Sequence, residues 1–286
     1  MESMQLLLLQ GLNTAMIIGI LVLVSLGLGI IYGLMNVLNL AHGDFLMLGA
    51  YSVVVGNMLG LNVWCGIILG AVFVGILGYL LERGLISRLY GNPIDALLAT
   101  WGLSLIFQQT ISLVFGATPK AVVPPIQGAV NILGMPFPIY KLIVLAITIG
   151  VTTAVLVIFR YPTFGIKTRA VLQDREMAQC VGIASQPIYS ASFAIGAALS
   201  GLAGGLLAPL VTVQPFMGPV FLVRGFLTVI VGGVGTLLGV VGGAGVIGGT
   251  EGVVAYFESS VAAQVIVLAM AIVIVRLRPQ GIFARK

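Results

Sequence analysis

Long apolar runs, parted by short polar, glycine-rich or proline-rich joints, fill this sequence, and none of them alternates as a strand would. Runs of about 20 apolar residues predict membrane-crossing helices, because only a helix or a closed barrel satisfies its own backbone in lipid. Residues 4–35 form the first run, too long for one ordinary span. Gly27, Gly29 and Gly33 in its second half predict a helix over roughly 10–31 and then a break. Further spans are predicted at about 45–60, 62–81, 96–115, 139–159 and 189–211. The glycine-punctuated stretch 221–257 predicts two short or broken spans, and a last span covers 260–275. Residues 116–138 carry Pro119, Pro124, Pro125, Pro136 and Pro138, a density that predicts a loop. The expected fold is all-α: a single polytopic transmembrane bundle over 1–286, with about 8–10 spans and a possible inverted repeat of broken helices.

Composition adds that water cannot be the main solvent. Of 286 residues, 59% are hydrophobic and 7% charged, against about 25% charged in a soluble protein. The N-terminus starts acidic, with Glu2 and no basic region ahead of the apolar run, so it reads as a first span and not a removed signal. Cys65 and Cys180 form no metal or redox motif and read as packing residues.

Charge orients the chain. With 160–187 placed in the cytoplasm, alternation leaves Arg83, Arg88, Arg160, Lys167, Arg169, Arg175, Arg276, Arg278, Arg285 and Lys286 inside. Lys120, Lys141 and Arg224 fall outside, so the positive-inside rule supports this orientation and opposes its reverse. The net charge of +5 therefore marks topology, not a nucleic-acid partner.

Rare polar residues then mark candidate chemistry. The stretch Gly33-Leu-Met-Asn36-Val-Leu-Asn39-Leu-Ala-His42-Gly43-Asp44 through Tyr51 holds the single histidine between two apolar runs. Ionisable groups at membrane depth are costly and are usually used. One reading has Asn36 and Asn39 lining a path, beside backbone freed by a broken helix. The other has His42, Gly43 and Asp44 holding a re-entrant turn: Asn39 or Asp44 as N-cap, Gly43 for a tight backbone, His42 bonded to a carbonyl. Parity places residues 42–44 near the cytoplasmic end, which favours the structural or gating role. Gly232, Gly233 and Gly235 open a second candidate broken element, with Gly232–Gly245 matched to Asn39–Tyr51; the alternative is glycine for close helix contact. Trp101, Gln108 and Gln109 are further path candidates, since amide and indole groups hydrogen-bond a small polar solute without net charge. Gln108 and Gln109 point about 100° apart on a helix, so one can face the path and the other a neighbour. Trp101 is equally suited to interfacial anchoring.

Between Thr168 and Val181 runs a charged, helix-forming segment ended by Gly182. It reads as a cytoplasmic docking helix, with Gly165, Arg169, Asp174 and Gly182 spaced to sit in a partner's groove, or as a solvated connector. No P-loop occurs, and nothing resembles a catalytic triad or a metal cluster, so neither an enzyme nor a metal site is expected.

Four motifs carry a resemblance: Asn39-Leu-Ala-His42-Gly43-Asp44-Phe-Leu-Met-Leu-Gly49-Ala-Tyr51, Arg169 to Ile183, Gly232-Gly233-Val-Gly235-Thr-Leu-Leu-Gly239, and Arg278-Pro279-Gln-Gly281-Ile-Phe283. Together they resemble the permease subunits of ABC importers for branched-chain amino acids and for urea or short amides. Leu98-Ala99-Thr100-Trp101-Gly102 to Gln109 looks closer to the urea type, although Thr110-Ile-Ser112 stands where that type is expected to have an arginine. The resemblance implies uptake of a small polar nitrogen compound, urea or a short amide first and a branched-chain amino acid as the alternative. It implies a second homologous permease, two cytoplasmic ATPase subunits, an extracytoplasmic binding protein and a bacterial inner membrane as the setting. ATP and Mg would lie on the ATPases, with no cofactor on this chain. Gly165, Arg169, Asp174, Arg175, Glu176 and Gly182 would form the ATPase-coupling segment. A passive urea facilitator is the remaining rival, and it would need no such segment.

Overall fold

A helix that is apolar all round is expected to be buried all round, and the first helix is so over its middle turns. In the computed structural model, which describes residues 2–35, 37–132, 135–278 and 280–283, α1 (Glu2–Met35) is the central element, with residues 20–31 all buried. Its 34 residues span about 50 Å, longer than the hydrocarbon core. Helix α1 runs through Gly27, Gly29 and Gly33, and the predicted break falls past Met35, at 37–41, a few residues beyond residue 31. Those glycines admit neighbours instead. A Cβ on Gly27 would lie 2.4 Å from the Gly196 carbonyl oxygen, and one on Gly29 would lie 2.9 Å from Val240.

The remaining helices are α2 (His42–Met58), α3 (Val63–Gly84), α4 (Pro93–Phe115), α5 (Ile139–Arg160), α6 (Pro162–Gln173), α7 (Arg175–Cys180), α8 (Ser185–Leu207), α9 (Gly218–Gly232), α10 (Leu237–Phe257) and α11 (Ser260–Leu277). Their starts carry ordinary signals: the Asn62 and Ser259 side chains accept from Trp64 N and Ala262 N, and proline opens α4. Among the described residues, six helices are long and apolar enough to cross a membrane, and two shorter apolar helices join them. The bundle is thus the expected polytopic one. Two expectations change in detail. The proline-rich 116–138 loop contains a two-stranded hairpin, β1 (Ala129–Ile132) with β2 (Met135–Pro138), where prolines are tolerated because every strand is an edge. Both cysteines are exposed, not packed.

Direction along the bundle follows from which turns touch. With the α6–α7 side labelled cytoplasmic by the positive-inside rule, α1 descends to that side, where Met35 meets Tyr90. The segment 37–41 then climbs back, and His42 is level again with Val24 of α1. From there α2 runs outward, α3 returns inward and α4 goes out again. α5 brings the chain to α6 and α7 in the cytoplasm. α8 goes out, 208–217 re-enters, and α9 begins beside Gly43 and runs inward past Gly225, level with Val24 and Leu28. Thus α2 and α9 are two half-length helices starting at mid-depth and pointing opposite ways, each preceded by a long helix and a re-entrant segment. The inverted pair is therefore 37–58 with 208–232, not Asn39–Tyr51 with Gly232–Gly245. Gly233 and Gly235, both at positive φ, make the turn between α9 and α10.

Candidate functional site

Where the two half-helices meet, their N-terminal ends touch. A Cβ on Gly43 would sit 2.2 Å from the Gly218 carbonyl oxygen, and one on Gly218 would sit 2.5 Å from Asp44 Oδ1. Two helix N-termini converging at mid-depth concentrate positive partial charge. The Asp44 carboxylate lies in the first turn of α2, between them, and accepts from Gln108 Nε2 at 3.0 Å; Gln108 also donates to Ser104 Oγ at 2.9 Å. Asp44 Oδ2 has no partner among the described residues.

His42 is fully buried, and its Nε2 lies 3.1 Å from the Val24 carbonyl of α1. A carbonyl only accepts, so Nε2 carries the proton and Nδ1 is left as an unpartnered acceptor. Ser200 Oγ of α8 donates to the His42 carbonyl at 3.1 Å. Asn39 bends the re-entrant segment: its Oδ1 accepts from Ala41 N at 3.0 Å. Thr100 of α4 accepts from Leu40 N at 3.1 Å. The expected caps are therefore corrected. Ala41 is the N-cap residue and makes no side-chain cap, Asp44 sits inside the helix, and Gly43 is needed for the approach of Gly218 and not for a tight turn. The partners of residues 42–44 are interior turns of α1, α4 and α8, so the junction lies at mid-depth and not near the cytoplasmic end.

The path candidates separate. Asn36 lies outside the described residues. Asn39 and Gln108 are buried inside the bundle, whereas Gln109 is exposed and Trp101 is 54% exposed. α4 touches the bundle along a narrow stripe of Thr100, Ser104, Gln108 and Ile111, which leaves its outer face bare. A polar Gln109 and Thr110 on that face are unsuited to lipid.

The coupling candidates also separate. The expected single helix from Thr168 to Val181 is two helices, because Asp174 is extended and its side chain caps α7 by accepting from Met177 N at 3.0 Å. Gly182, at φ +84, closes α7. On α7 the side chains of Glu176 and Met177 are exposed, and so is Val181 just past its end, the last two at 64% and 71%. Arg175 turns back to the bundle, over the Tyr90 and Tyr189 rings at 5.8 and 5.4 Å. Gly165 is buried at the α5–α6 corner, where a Cβ would meet the Phe159 carbonyl oxygen at 2.1 Å. Arg169 lies on α6 and is exposed.

Sequence reading missed one group and misjudged the depth of another. Glu82, the first residue past the predicted 62–81 span, is wholly buried at the end of α3, where Tyr90, Ser190 and Gln186 all donate to it. Burial, then the carboxylate, holds the Tyr90 phenol protonated well above its ordinary range. Arg224 was counted outside; it lies within α9 and pairs with Glu251 of α10 at 3.0 Å, inside the apolar bundle. The pairing itself was legible from two isolated charges in apolar runs, and its depth was not.

Comparison with known proteins agrees with this architecture. Residues 8–276 match the family model described as branched-chain amino acid transport system / permease component. The high-affinity branched-chain amino acid transport system permease protein LivH of Escherichia coli is 24% identical over 280 residues, 92% of this chain and 91% of that protein. LivH of Salmonella typhimurium is 25% identical over 282 residues, with the same shares covered. The corresponding protein BraD of Pseudomonas aeruginosa is 26% identical over 279 residues, again 92% and 91%. No solved structure matches.

Proposed function

Because the chain belongs to the family of branched-chain amino acid transport permease components, we propose that it is the membrane subunit of an ATP-driven ABC importer that carries a branched-chain amino acid inward. The family match over nearly the whole chain carries this reading, and the relatives' names favour branched-chain amino acids over the urea expected from Trp101–Gln109. The Arg224–Glu251 pair supports it chemically: a zwitterion brings one carboxylate and one ammonium, whereas urea brings no charge.

Energy would come from two cytoplasmic ATPases, which bind ATP and Mg. α7 is the docking element, offering Glu176, Met177 and Val181 outward and passing motion through Arg175 to Tyr90, Tyr189 and Glu82. A second permease covers the bare face of α4, so that Trp101 and Gln109 border the path. A binding protein delivers substrate at the outer side, where Lys120 and Val213 tie the hairpin loop to the re-entrant segment. The half-helix junction at Asp44 is the element that rocks between two arrangements.

The test is uptake by the full complex in proteoliposomes, with labelled leucine against labelled urea. ATP-dependent leucine uptake is expected. Urea uptake without leucine uptake would overturn the substrate, and flux that needs no ATP would overturn the energy coupling.

A further inference from the structure

A second feature lies apart from the half-helix junction. Between α1, α5, α6 and the start of α10 is an open-mouthed cavity of about 980 Å³, on the cytoplasmic half of the bundle. Its floor is Gly33 and its walls include Leu156 and Phe283, so most of its surface is apolar. Its volume is at the upper end of ordinary ligand pockets. Arg160, at the cytoplasmic end of α5, and Arg169 of α6 both line it. Among the described residues neither forms a salt bridge. Thr168 lines it too; it is 3% exposed, and its hydroxyl has no hydrogen-bond partner.

We propose that this cavity holds an anionic phospholipid of the cytoplasmic leaflet, with an acyl chain against Leu156 and Phe283 and the phosphate on Arg160, Arg169 and the Thr168 hydroxyl. Three observations agree on that occupant. Two exposed guanidiniums without a salt bridge attract an anion, the orphaned hydroxyl lacks an acceptor, and the apolar interior suits a hydrocarbon. Basic pockets between helices on the cytoplasmic side suit such headgroups. A free amino acid fits poorly, because no carboxylate lines the cavity to receive its ammonium. A lipid there would wedge α6 to α1 and α10, and so stiffen the linkage between the cytoplasmic helices and the core.

The experiment is native mass spectrometry of the full complex from nanodiscs made of equal phosphatidylglycerol and phosphatidylcholine. Phosphatidylglycerol should be retained in preference, and Arg160→Gln and Arg169→Gln should each lower that preference about fivefold, the equivalent of about 1 kcal/mol per arginine. Thr153→Trp, which fills the cavity from α5 and spares both arginines, should abolish retention. The same spectra count subunits and so report assembly; if an arginine variant fails to assemble, Thr153→Trp decides. Equal retention of both lipids, or retention unchanged by Thr153→Trp, overturns the proposal. Displacement by water-soluble glycerol phosphate also overturns it, by marking a phosphate site and not a lipid site.

Discussion

At the scale of single residues, glycines decide how closely the core packs. Gly43 and Gly218 are in backbone contact at the half-helix junction, whereas a Cβ on Gly150 of α5 meets nothing within 4 Å. Gly43→Ala should therefore destabilise the complex by about 1–3 kcal/mol through overpacking, read as a lower thermal midpoint and lost uptake. Gly150→Ala should be neutral, or stabilising by up to about 1 kcal/mol from helix propensity; equal effects would remove the junction's special status. Asp44 makes a second case. Gln108→Leu leaves its carboxylate without its one amide donor and should cost about 1–3 kcal/mol, more than Gln109→Leu on the exposed face. Sequence alone marked Asp44, His42 and both glutamines as polar groups in apolar runs. It did not say which glutamine turned inward, because a 100° rotation between neighbours is known only relative to a packed partner.

At the scale of elements, α7 illustrates a short helix made by its ends. Asp174 caps its start and Gly182 at φ +84 closes it, and both signals stand in the sequence. The break that separates it from α6 was not read, since Asp174 looked like one more polar residue within a helical run. Met177→Glu with Val181→Glu should weaken co-purification of the ATPases at least tenfold and leave the permease's own thermal stability unchanged, because both side chains are exposed. Unaltered co-purification would rule out α7 as the dock. The closing segment behaves similarly: Ile282 N donates to the Val231 carbonyl at 2.8 Å, so the Arg278–Phe283 motif covers the end of α9. Its sequence match was plain, its structural purpose was not.

At the scale of the whole molecule, α4 is loosely held while α1 and α8 are deeply buried. Exposed Trp101, Gln109 and Thr110 on the outer face of α4 are what the proposed second subunit would cover. A spin label at Gln109→Cys should show oxygen accessibility like that of lipid in the chain alone, and lose most of it in the assembled pair. Accessibility unchanged by assembly would place that face against lipid.

Hydropathy by itself determined the membrane, the helical class and nearly every span, because burial of apolar length and the cost of charge in lipid act locally on the chain. Four motifs determined the family. Tertiary structure alone decided that α1 continues past Gly33, that α2 and α9 are opposed half-helices, and how deep in the bundle Arg224 meets Glu251. Each of these depends on a partner far away in sequence: a glycine that breaks an isolated helix becomes a contact point once another backbone arrives.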